Sequence, residues 1–223
     1  MRRKIFNSIA IICLLLCSIA TFASGQTEHP VPIRIACVGD SITFGMGIKN
    51  RSENIYPAQL ATMLGTKWAV RNFGVNGATL LKKGDKPYWK TNQFEPAHEF
   101  KPDIVIIKLG TNDTRPVNWK HKAEYVSDYI ALIKSFQEQD NKPEVWICYP
   151  VPAYGRWRNT DQIIKKEILP LIDVVARQAG VKNIDLYTTL SNKKEMFADT
   201  LHPNSGGAKL ITETIYASIT GKK

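Results

Sequence analysis

Short apolar segments recur along the chain and alternate with longer segments of helical spacing. Four of the apolar segments are rich in β-branched and aromatic residues and are closed by glycine or proline, which is typical of strands buried on both faces. A fifth segment near the C-terminus is weaker. The predicted strands span residues 33–38, 68–73, 104–109, 145–149 and 182–186.

The segments between the predicted strands repeat apolar residues at intervals of three or four, as amphipathic helices do. Tyr125, Tyr129 and Leu132, for example, fall on one helical face. Alternation of strand and helix predicts parallel strands joined by right-handed helical crossovers, and hence a three-layer α/β/α sandwich. We expect a flavodoxin-like sheet order of 2-1-3-4-5, with ligands bound beyond the carboxyl ends of the strands. The predicted helices span residues 57–64, 123–139, 162–178 and 206–219.

The N-terminal residues have the pattern of a secretory signal peptide. A basic start at residues 2–4 precedes a nearly continuous apolar run at 9–20, and small residues follow it. The run is shorter than the ~20 residues that a membrane span needs, and no later segment approaches that length. We predict a signal peptide at 1–25, one domain at 26–223, and a secreted or periplasmic protein without a membrane span.

The cysteines leave one alternative open and predict a redox state. Cys17 follows three leucines, so a lipoprotein anchor at Cys17 is the competing interpretation, although Leu16 is larger than the residue expected there. After removal of the signal peptide only Cys37 and Cys148 remain. They lie on predicted strands two positions apart, about 9 to 10 Å, which exceeds the reach of a disulfide. We therefore predict two buried free thiols.

Composition and charge narrow the class of protein. A chain of 223 residues with 43% apolar residues suits one substantial core. Loss of three basic residues with the signal peptide leaves 27 of the 30 Lys and Arg residues against 20 acids, so the net charge falls from +10 to +7. The lysines are scattered rather than clustered, which favours a solvated surface over a nucleic-acid partner.

Three predicted strands run into polar turns. Ser41 follows the first strand in the sequence GDSITFG, Gly74 follows the second in NFGVNG, and Asn112 follows the third in LGTND. A serine at a tight turn can act as a nucleophile if a base takes its proton, and an asparagine amide can donate to an oxyanion. Taken singly, each fits ordinary helix capping or turn chemistry as well.

A fourth polar segment, DTLHPN, precedes the last predicted helix. The spacing of Asp199 and His202 across a turn can place the carboxylate beside the imidazole, which fixes the tautomer and leaves the other nitrogen free as a base. The four signals occur at the sheet edge in the order that one acyl-transfer site needs.

The blocks GDSI, NFGVNGAT, LGTND and DTLHPN together resemble the signature blocks of the SGNH hydrolase superfamily, the GDSL-like esterases. The resemblance implies the SGNH hydrolase fold and a serine esterase that needs no metal or cofactor. Ser41 would be the nucleophile, His202 the general base and Asp199 the third member of the triad. The oxyanion hole would consist of the backbone N–H groups of Ser41 and Gly74 and the Asn112 amide. Isoleucine stands at position 42, where the GDSL name has leucine.

The loops after the second, third and fourth strands are rich in aromatic and cationic residues, which suit sugar faces and carboxylates. The chain further resembles secreted bacterial sialate or other carbohydrate O-acetylesterases, which implies removal of short acyl groups from carbohydrates. The expected substrate contacts are Asp40, Asn76, Arg115, Trp119, Tyr154 and Trp157.

Two other functions fit the same residues. A lysophospholipase or thioesterase would use the same triad with a different pocket. A carbohydrate-binding module that kept the fold without turnover is the alternative from a different class, since a fold does not fix a function.

Overall fold

The computed structural model of the chain describes residues 31–155 and 158–222, and of Arg158 only the backbone. The predicted signal peptide at 1–25, the alternative anchor at Cys17 and the predicted contact Trp157 lie outside the described residues. Among the helices that are described, none combines the length and the apolar character that crossing a membrane requires.

All five predicted strands form, and each begins and ends within two residues of the predicted bounds. Every pairing is parallel, and the sheet order is 2-1-3-4-5, which confirms the predicted topology. The strands are β1 (Ile33–Gly39), β2 (Trp68–Gly74), β3 (Ile104–Lys108), β4 (Glu144–Cys148) and β5 (Lys182–Ile184).

Helices connect the strands and cover both faces of the sheet. The four predicted helices form, together with several short ones that lack a periodic apolar pattern. The helices are α1 (Ser41–Phe44), α2 (Arg51–Asn54), α3 (Tyr56–Leu64), α4 (Phe94–Glu99), α5 (Pro116–Trp119), α6 (Tyr125–Gln137), α7 (Arg158–Ile163), α8 (Leu169–Ala179), α9 (Leu186–Leu190) and α10 (Ser205–Thr220).

The helix predicted at 162–178 is divided into α7 and α8 by a π-helical turn, Ile164–Ile168. Pro170 in the first turn of α8 supplies a reason. Proline has no N–H to donate to the carbonyl four residues earlier, so the regular α-helical ladder is interrupted there.

Side chains of the central strand β1 alternate between two cores. Ala36 and Val38 belong to the core covered by α6 and α8, whereas Ile35 and Cys37 belong to the core covered by α3 and α10. All four residues are fully buried. Because successive side chains of a strand point to opposite faces, β1 contributes to both cores and lies in the middle layer of the sandwich.

Both remaining cysteines are buried and free, as predicted. Burial raises the pKa of Cys37 to about 12 and raises the pKa of Cys148 as well. Because the thiolate is the reactive form of cysteine, both side chains behave as small apolar core residues.

Candidate active site

Ser41 is the first residue of α1 and directly follows the turn at the carboxyl end of β1. The Asp40 carboxylate accepts a hydrogen bond from the N–H of Ile42 at 2.9 Å and thereby caps α1. Ser41 is 7% exposed. The capped turn presents the Ser41 hydroxyl at the sheet edge and keeps its backbone fixed.

Ser41, His202 and Asp199 form one chain of hydrogen bonds. Oγ of Ser41 lies 2.9 Å from Nε2 of His202, and Nδ1 of His202 lies 2.8 Å from Oδ2 of Asp199. A carboxylate accepts hydrogen bonds, so Nδ1 carries the proton and Nε2 is left to accept the serine proton. The structure thus brings together three residues that are 161 positions apart at the extremes.

The turn from Asp199 to His202 is tightly constrained. Thr200 has a φ of 69°, in the left-handed region that a β-branched residue rarely occupies. Oδ1 of Asp199 accepts hydrogen bonds from the N–H groups of His202, at 2.8 Å, and Leu201, at 3.1 Å. Partial burial acts to raise the pKa of Asp199, but these bonds and the imidazole outweigh burial and lower the pKa. The carboxylate stays ionised and orients the imidazole.

Asn112 begins a 3₁₀ turn after β3 and lines the same cleft as Ser41. Nδ2 of Asn112 donates to the carbonyl of Ala78 at 3.0 Å. The amide nitrogen has two hydrogens, so this bond fixes the orientation of the side chain and leaves one hydrogen for a ligand.

The structure contradicts the prediction of Gly74 as an oxyanion donor. The N–H of Gly74 donates to Oδ1 of Asn72 at 2.8 Å and is therefore already engaged. A Cβ at position 74 would lie 2.2 Å from the backbone nitrogen of Phe44, so glycine is needed there for the close contact between β2 and α1. Gly74 is not among the residues that line the Ser41 cleft.

Gly77, three residues further along, is a glycine beside the nucleophile that sequence reasoning did not single out. It lines the cleft beside Ser41, and no hydrogen bond within the described ranges uses its N–H. Its φ of 78° lies in the left-handed region, which glycine adopts without strain. The sequence feature that could have pointed to Gly77 is the Asn76-Gly77 pair, which is typical of a tight turn.

The cleft around Ser41 and His202 has a volume of about 450 Å³. Only Met46 and Leu201 supply larger apolar side chains to it. The remaining lining is polar or glycine, and consists of Ser41, Asn76, Gly77, Thr111, Asn112, Thr114, Arg115, Thr160, Asp199 and His202.

Two of the predicted substrate contacts, Asn76 and Arg115, line this cleft. Nη2 of Arg115 forms an ion pair with Asp85 at 2.8 Å, and Nε donates to the carbonyl of Asn112 at 3.2 Å. The ion pair, together with a hydrogen bond of 3.4 Å from Nη2 to the carbonyl of Gly77, fixes the guanidinium at the rim of the cleft.

Asp40 is a correction to the predicted contacts. Asp40 is fully buried, and its carboxylate oxygens lie 3.1 and 3.0 Å from Nζ of Lys108. A carboxylate that is buried and fully paired with a buried cation does not contact a substrate. Lys108 itself was not singled out by the sequence, because it lies in an otherwise apolar strand.

Trp119 and Tyr154 are also wrong as predicted contacts. The indole of Trp119 belongs to the core and donates to Glu167 at 3.0 Å. The hydroxyl of Tyr154 donates to the carbonyl of Leu190 at 2.7 Å. Neither side chain lines the Ser41 cleft, and both act as loop anchors.

Asp113, next to Asn112, is a buried carboxyl that the sequence analysis did not single out. Its two oxygens accept hydrogen bonds from the N–H groups of Leu80, at 3.0 Å, and Leu81, at 2.8 Å. Burial raises the pKa of Asp113 to about 6. The side chain therefore fixes the segment that follows Gly77 against the turn that carries Asn112.

No cluster of three or more His, Cys, Asp or Glu residues is arranged to hold a metal ion within the part of the chain that the structure describes. The ionisable groups of the cleft are those of the Ser41, His202 and Asp199 chain and of Arg115.

Comparison with known proteins adds two kinds of likeness. The sequence profile of the GDSL-like Lipase/Acylhydrolase family matches residues 37–210. An acetylxylan esterase from Xylanibacter ruminicola is 40% identical over 206 residues, which cover 84% of this chain. The match spans 43% of the length of that esterase.

Solved structures share the fold. The aryl esterase of M. smegmatis has a TM-score of 0.68 at 19% identity, with 85% of this chain and 99% of that chain covered. A carbohydrate acetylesterase family member from Sinorhizobium meliloti has a TM-score of 0.68 at 18% identity, with 85% and 98% covered. At these identities the likeness concerns the fold alone.

Proposed function

The chain belongs to the GDSL-like lipase/acylhydrolase family, and from this premise we propose that it is a serine ester hydrolase that works through an acyl-enzyme. The observation that carries the proposal is the contact of 2.9 Å between Oγ of Ser41 and Nε2 of His202. This is the distance at which a base can take the proton of a nucleophile.

In the first step Nε2 of His202 removes the Ser41 proton while Oγ attacks the ester carbonyl carbon. The resulting tetrahedral oxyanion accepts hydrogen bonds from three donors: the backbone N–H of Ser41, the backbone N–H of Gly77 and the Asn112 amide. Donors aimed at a developing negative charge stabilise the transition state more than the ground state.

Collapse of the tetrahedral intermediate breaks the bond to the alcohol oxygen, which takes the proton from Nε2 of His202. Water then loses a proton to the same nitrogen and attacks the acyl-enzyme. Release of the acid returns the proton to Ser41 Oγ. Asp199 stabilises the imidazolium in both steps without becoming protonated, which fits the lowered pKa of Asp199.

We infer that the acyl group is short and that the alcohol is a sugar. The cleft holds about 450 Å³, and only two of its lining residues, Met46 and Leu201, have large apolar side chains that could contact an acyl group. Such a site suits an acetyl group beside hydroxyl-rich alcohol better than a long acyl chain. The names of two relatives agree with this: one is an acetylxylan esterase and another a carbohydrate acetylesterase family member.

Acetate release from acetylated xylan, O-acetylated sialic acid and acetylated pectic fragments tests the sugar proposal, and a series of p-nitrophenyl esters tests the acyl length. We expect the highest kcat/KM for acetyl esters and a steep fall by eight carbons. Turnover confined to long-chain esters would favour a lysophospholipase or thioesterase instead.

We also propose that the protein is exported, from the basic and apolar pattern of residues 1–25. Expression of the full chain in a bacterial host, followed by N-terminal sequencing of the periplasmic or extracellular fraction, tests this. The expected product begins near residue 26. Retention of the whole chain in the cytoplasm contradicts export, and a lipid-modified Cys17 would assign the alternative anchor.

A further inference from the structure

A second depression adjoins the Ser41 cleft beside α7. We call it the side depression; it has a volume of about 460 Å³, and its lining includes Asn159, Gln162 and Lys166. The cleft and the side depression share three lining residues, Thr114, Arg115 and Thr160. The two are therefore neighbouring parts of one groove that runs away from Ser41.

The wall between the cleft and the side depression is held in place by defined contacts. Oγ1 of Thr114 donates to Oγ1 of Thr160 at 3.3 Å, which joins the turn after β3 to α7. The Asp161 carboxylate accepts hydrogen bonds from the N–H of Ala153 at 3.0 Å and from the hydroxyl of Tyr187 at 3.2 Å. The groove is thus preformed, which lowers the cost of ordering it on binding.

The side depression carries hydrogen-bonding groups that the proposed chemistry at Ser41 does not use. Asn159, Gln162 and Lys166 are exposed, and Thr160 is half-buried. Amide, hydroxyl and ammonium groups on a preformed surface match the hydroxyls of a sugar ring. The lining also includes Pro116 and Ile163, whose apolar surface can pack against the face of a sugar ring.

We propose that the side depression binds a second sugar residue of the glycan whose ester lies at Ser41. This inference rests on the proposed function, and it makes an oligosaccharide rather than a single sugar the preferred substrate. The polar groups of α7 would lower KM for the longer substrate without entering the chemistry.

The test uses Gln162→Ala and Lys166→Ala, each with a matched control on the opposite edge of the sheet. The controls are Gln178→Ala and Lys134→Ala. Gln178 lies near the end of α8 that leads into β5, and Lys134 lies near the end of α6 that leads into β4. Both control side chains are exposed. Kinetics are measured on singly acetylated xylose, on acetylated xylotetraose and on p-nitrophenyl acetate.

We expect Gln162→Ala and Lys166→Ala each to lose about fivefold in kcat/KM on the tetrasaccharide, the effect of one lost hydrogen bond, with no change on the monosaccharide or on p-nitrophenyl acetate. The controls should match wild type throughout. Equal losses on all three substrates, or no loss on the tetrasaccharide, would overturn the side-depression proposal.

Failure of the proposed function has a different signature, because it would abolish turnover of p-nitrophenyl acetate by the wild type. In that case calorimetric titration with unacetylated xylotetraose still tests whether the side depression binds sugar. Weaker binding by Gln162→Ala and Lys166→Ala than by the controls supports the site, and equal binding or none contradicts it.

Lys108 and Asp40 form a buried ion pair next to the nucleophile, Ser41. Nζ of Lys108 lies 3.1 and 3.0 Å from the two Asp40 oxygens and 3.0 Å from Oγ1 of Thr111. The side chains of Lys108 and Asp40 are 1% and 0% exposed. Lys108 pairs in register with Gly39, so the adjacency of β1 and β3 places its side chain beside Asp40.

The partners of Lys108 belong to the two turns that carry the chemistry. Asp40 caps α1 and directly precedes Ser41, and Thr111 directly precedes Asn112. One ammonium group therefore contacts the nucleophile turn and the amide-donor turn at once. We propose that Lys108 is a positioning residue that sets the distance between Ser41 and Asn112.

Stability alone gives a poor reason for such a pair. Removing two charges from water costs several kcal/mol per ion, and apolar residues of similar volume are often as stable or more so. The ion pair can fix the distance between the turns that carry Ser41 and Asn112 better than apolar packing can. This distance matters for catalysis, because a displacement of about 1 Å can cost about 10²-fold in rate.

The first test removes one contact of Lys108 without changing charge. Thr111→Val replaces the hydroxyl by a methyl group of similar size, and Thr111→Ser keeps the hydroxyl as the matched control. We expect Thr111→Val to lower kcat by about 10-fold with little change in KM, and Thr111→Ser to stay near wild type. Equal kcat for Thr111→Val and wild type would overturn the proposal.

The second test removes the pair together, as Asp40→Asn with Lys108→Met, so that no unpaired charge is left buried. Asparagine at position 40 can still cap α1. We expect kcat and the rate of Ser41 labelling by a fluorophosphonate to fall about 10²-fold while the melting temperature stays within a few degrees. A purely structural role would lower the melting temperature and leave both rates of the folded protein unchanged.

Discussion

Whether a backbone N–H can donate to a ligand depends on whether it already donates a hydrogen bond within the protein. Gly74 ends β2 and Gly77 lies three residues beyond it. The N–H of Gly74 is donated to Asn72, whereas no hydrogen bond among the described residues uses the N–H of Gly77, which lines the cleft. The resemblance of the NFGVNGAT block to the family signature implied Gly74 as the donor. The distinction depends on a side chain two residues earlier, which no local pattern reveals.

The same limit applies to the predicted substrate contacts. Asn76 and Arg115 line the cleft, whereas Asp40, Trp119 and Tyr154 each found a partner inside the protein. Polar and aromatic loop residues look alike in a sequence whether they contact a ligand or anchor a loop. Ser41, Asp199 and His202 were easier to identify, because each lies in a sequence block that resembles a family signature and the blocks occur in the family's order.

The hydrogen bond from His202 to Asp199 predicts a severe effect of the substitution Asp199→Asn. Asp199→Asn replaces an acceptor by an amide that can present N–H to Nδ1, which favours the tautomer with the proton on Nε2. We expect kcat to fall by about 10⁴-fold while the fold is retained. Steady-state kinetics with circular dichroism as a check of folding measures this. An unchanged kcat would mean that another group orients the imidazole.

The Asn112 amide is predicted to act only on the transition state. Asn112→Ala should lower kcat by about 10²- to 10³-fold, or about 3 to 4 kcal/mol, with KM little changed. A matched comparison is Asn76→Ala, which removes an amide from the same cleft outside the oxyanion hole and should affect kcat far less. A rise in KM at constant kcat for Asn112→Ala would assign the amide to substrate binding instead.

At the scale of elements, the strands were predictable and the turns between them were not. Continuous β-branched and aromatic runs closed by glycine or proline identify buried strands, and β1 to β5 form within two residues of those bounds. Helices with a clear apolar face were also found. Short helices such as α4 and α9 have only six and five residues, too few for a periodic pattern to appear.

The contact of Asp113 with the segment after Gly77 gives a prediction for pH dependence. The pKa of Asp113 is about 6 in the folded protein against 3.8 as its ordinary value, so the folded state binds this proton more tightly. The contribution to stability is full below about pH 4 and is lost as pH rises through 6. The sign follows because ionisation leaves a buried carboxylate without a cation, only partly offset by two N–H groups.

Urea unfolding of wild type and Asp113→Asn at several pH values between 4 and 7 measures this effect, because the variant has no titrating group at position 113. We expect the free energy of unfolding of wild type, relative to the variant, to fall by roughly 2 kcal/mol over this range. A difference that is constant with pH, or that rises with pH, would contradict the raised pKa.

At the scale of the whole molecule, the sheet order determines which residues meet. The order 2-1-3-4-5 places β1 and β3 side by side, so the turns carrying Ser41 and Asn112 are neighbours at one edge. Asp199 and His202 come from the segment before α10. The alternation of strands and helices was sufficient to predict that Ser41 and Asn112 meet, since parallel strands present their carboxyl ends at the same edge. The arrival of Asp199 and His202 at that edge was implied by the resemblance of the four sequence blocks.

The same order keeps the two buried cysteines on strands that are not neighbours, which gives a prediction about redox behaviour. For a chain beginning at residue 26, we expect the melting temperature to be equal with and without a thiol reductant. A colorimetric thiol reagent should detect two thiols after unfolding and almost none before, because Cys37 and Cys148 are buried. A lower melting temperature in reductant would indicate a disulfide and contradict the account.

The central claim is that His202 activates Ser41, and covalent labelling tests it most directly. Wild type is treated with a fluorophosphonate, the labelled residue is mapped by mass spectrometry, and the rate is compared with those of His202→Ala and Ser41→Ala. We expect label on Ser41 in the wild type, a labelling rate at least ~10³-fold lower in His202→Ala, and no label at that site in Ser41→Ala. Equal labelling rates in wild type and His202→Ala, or label on a residue other than Ser41, would contradict it.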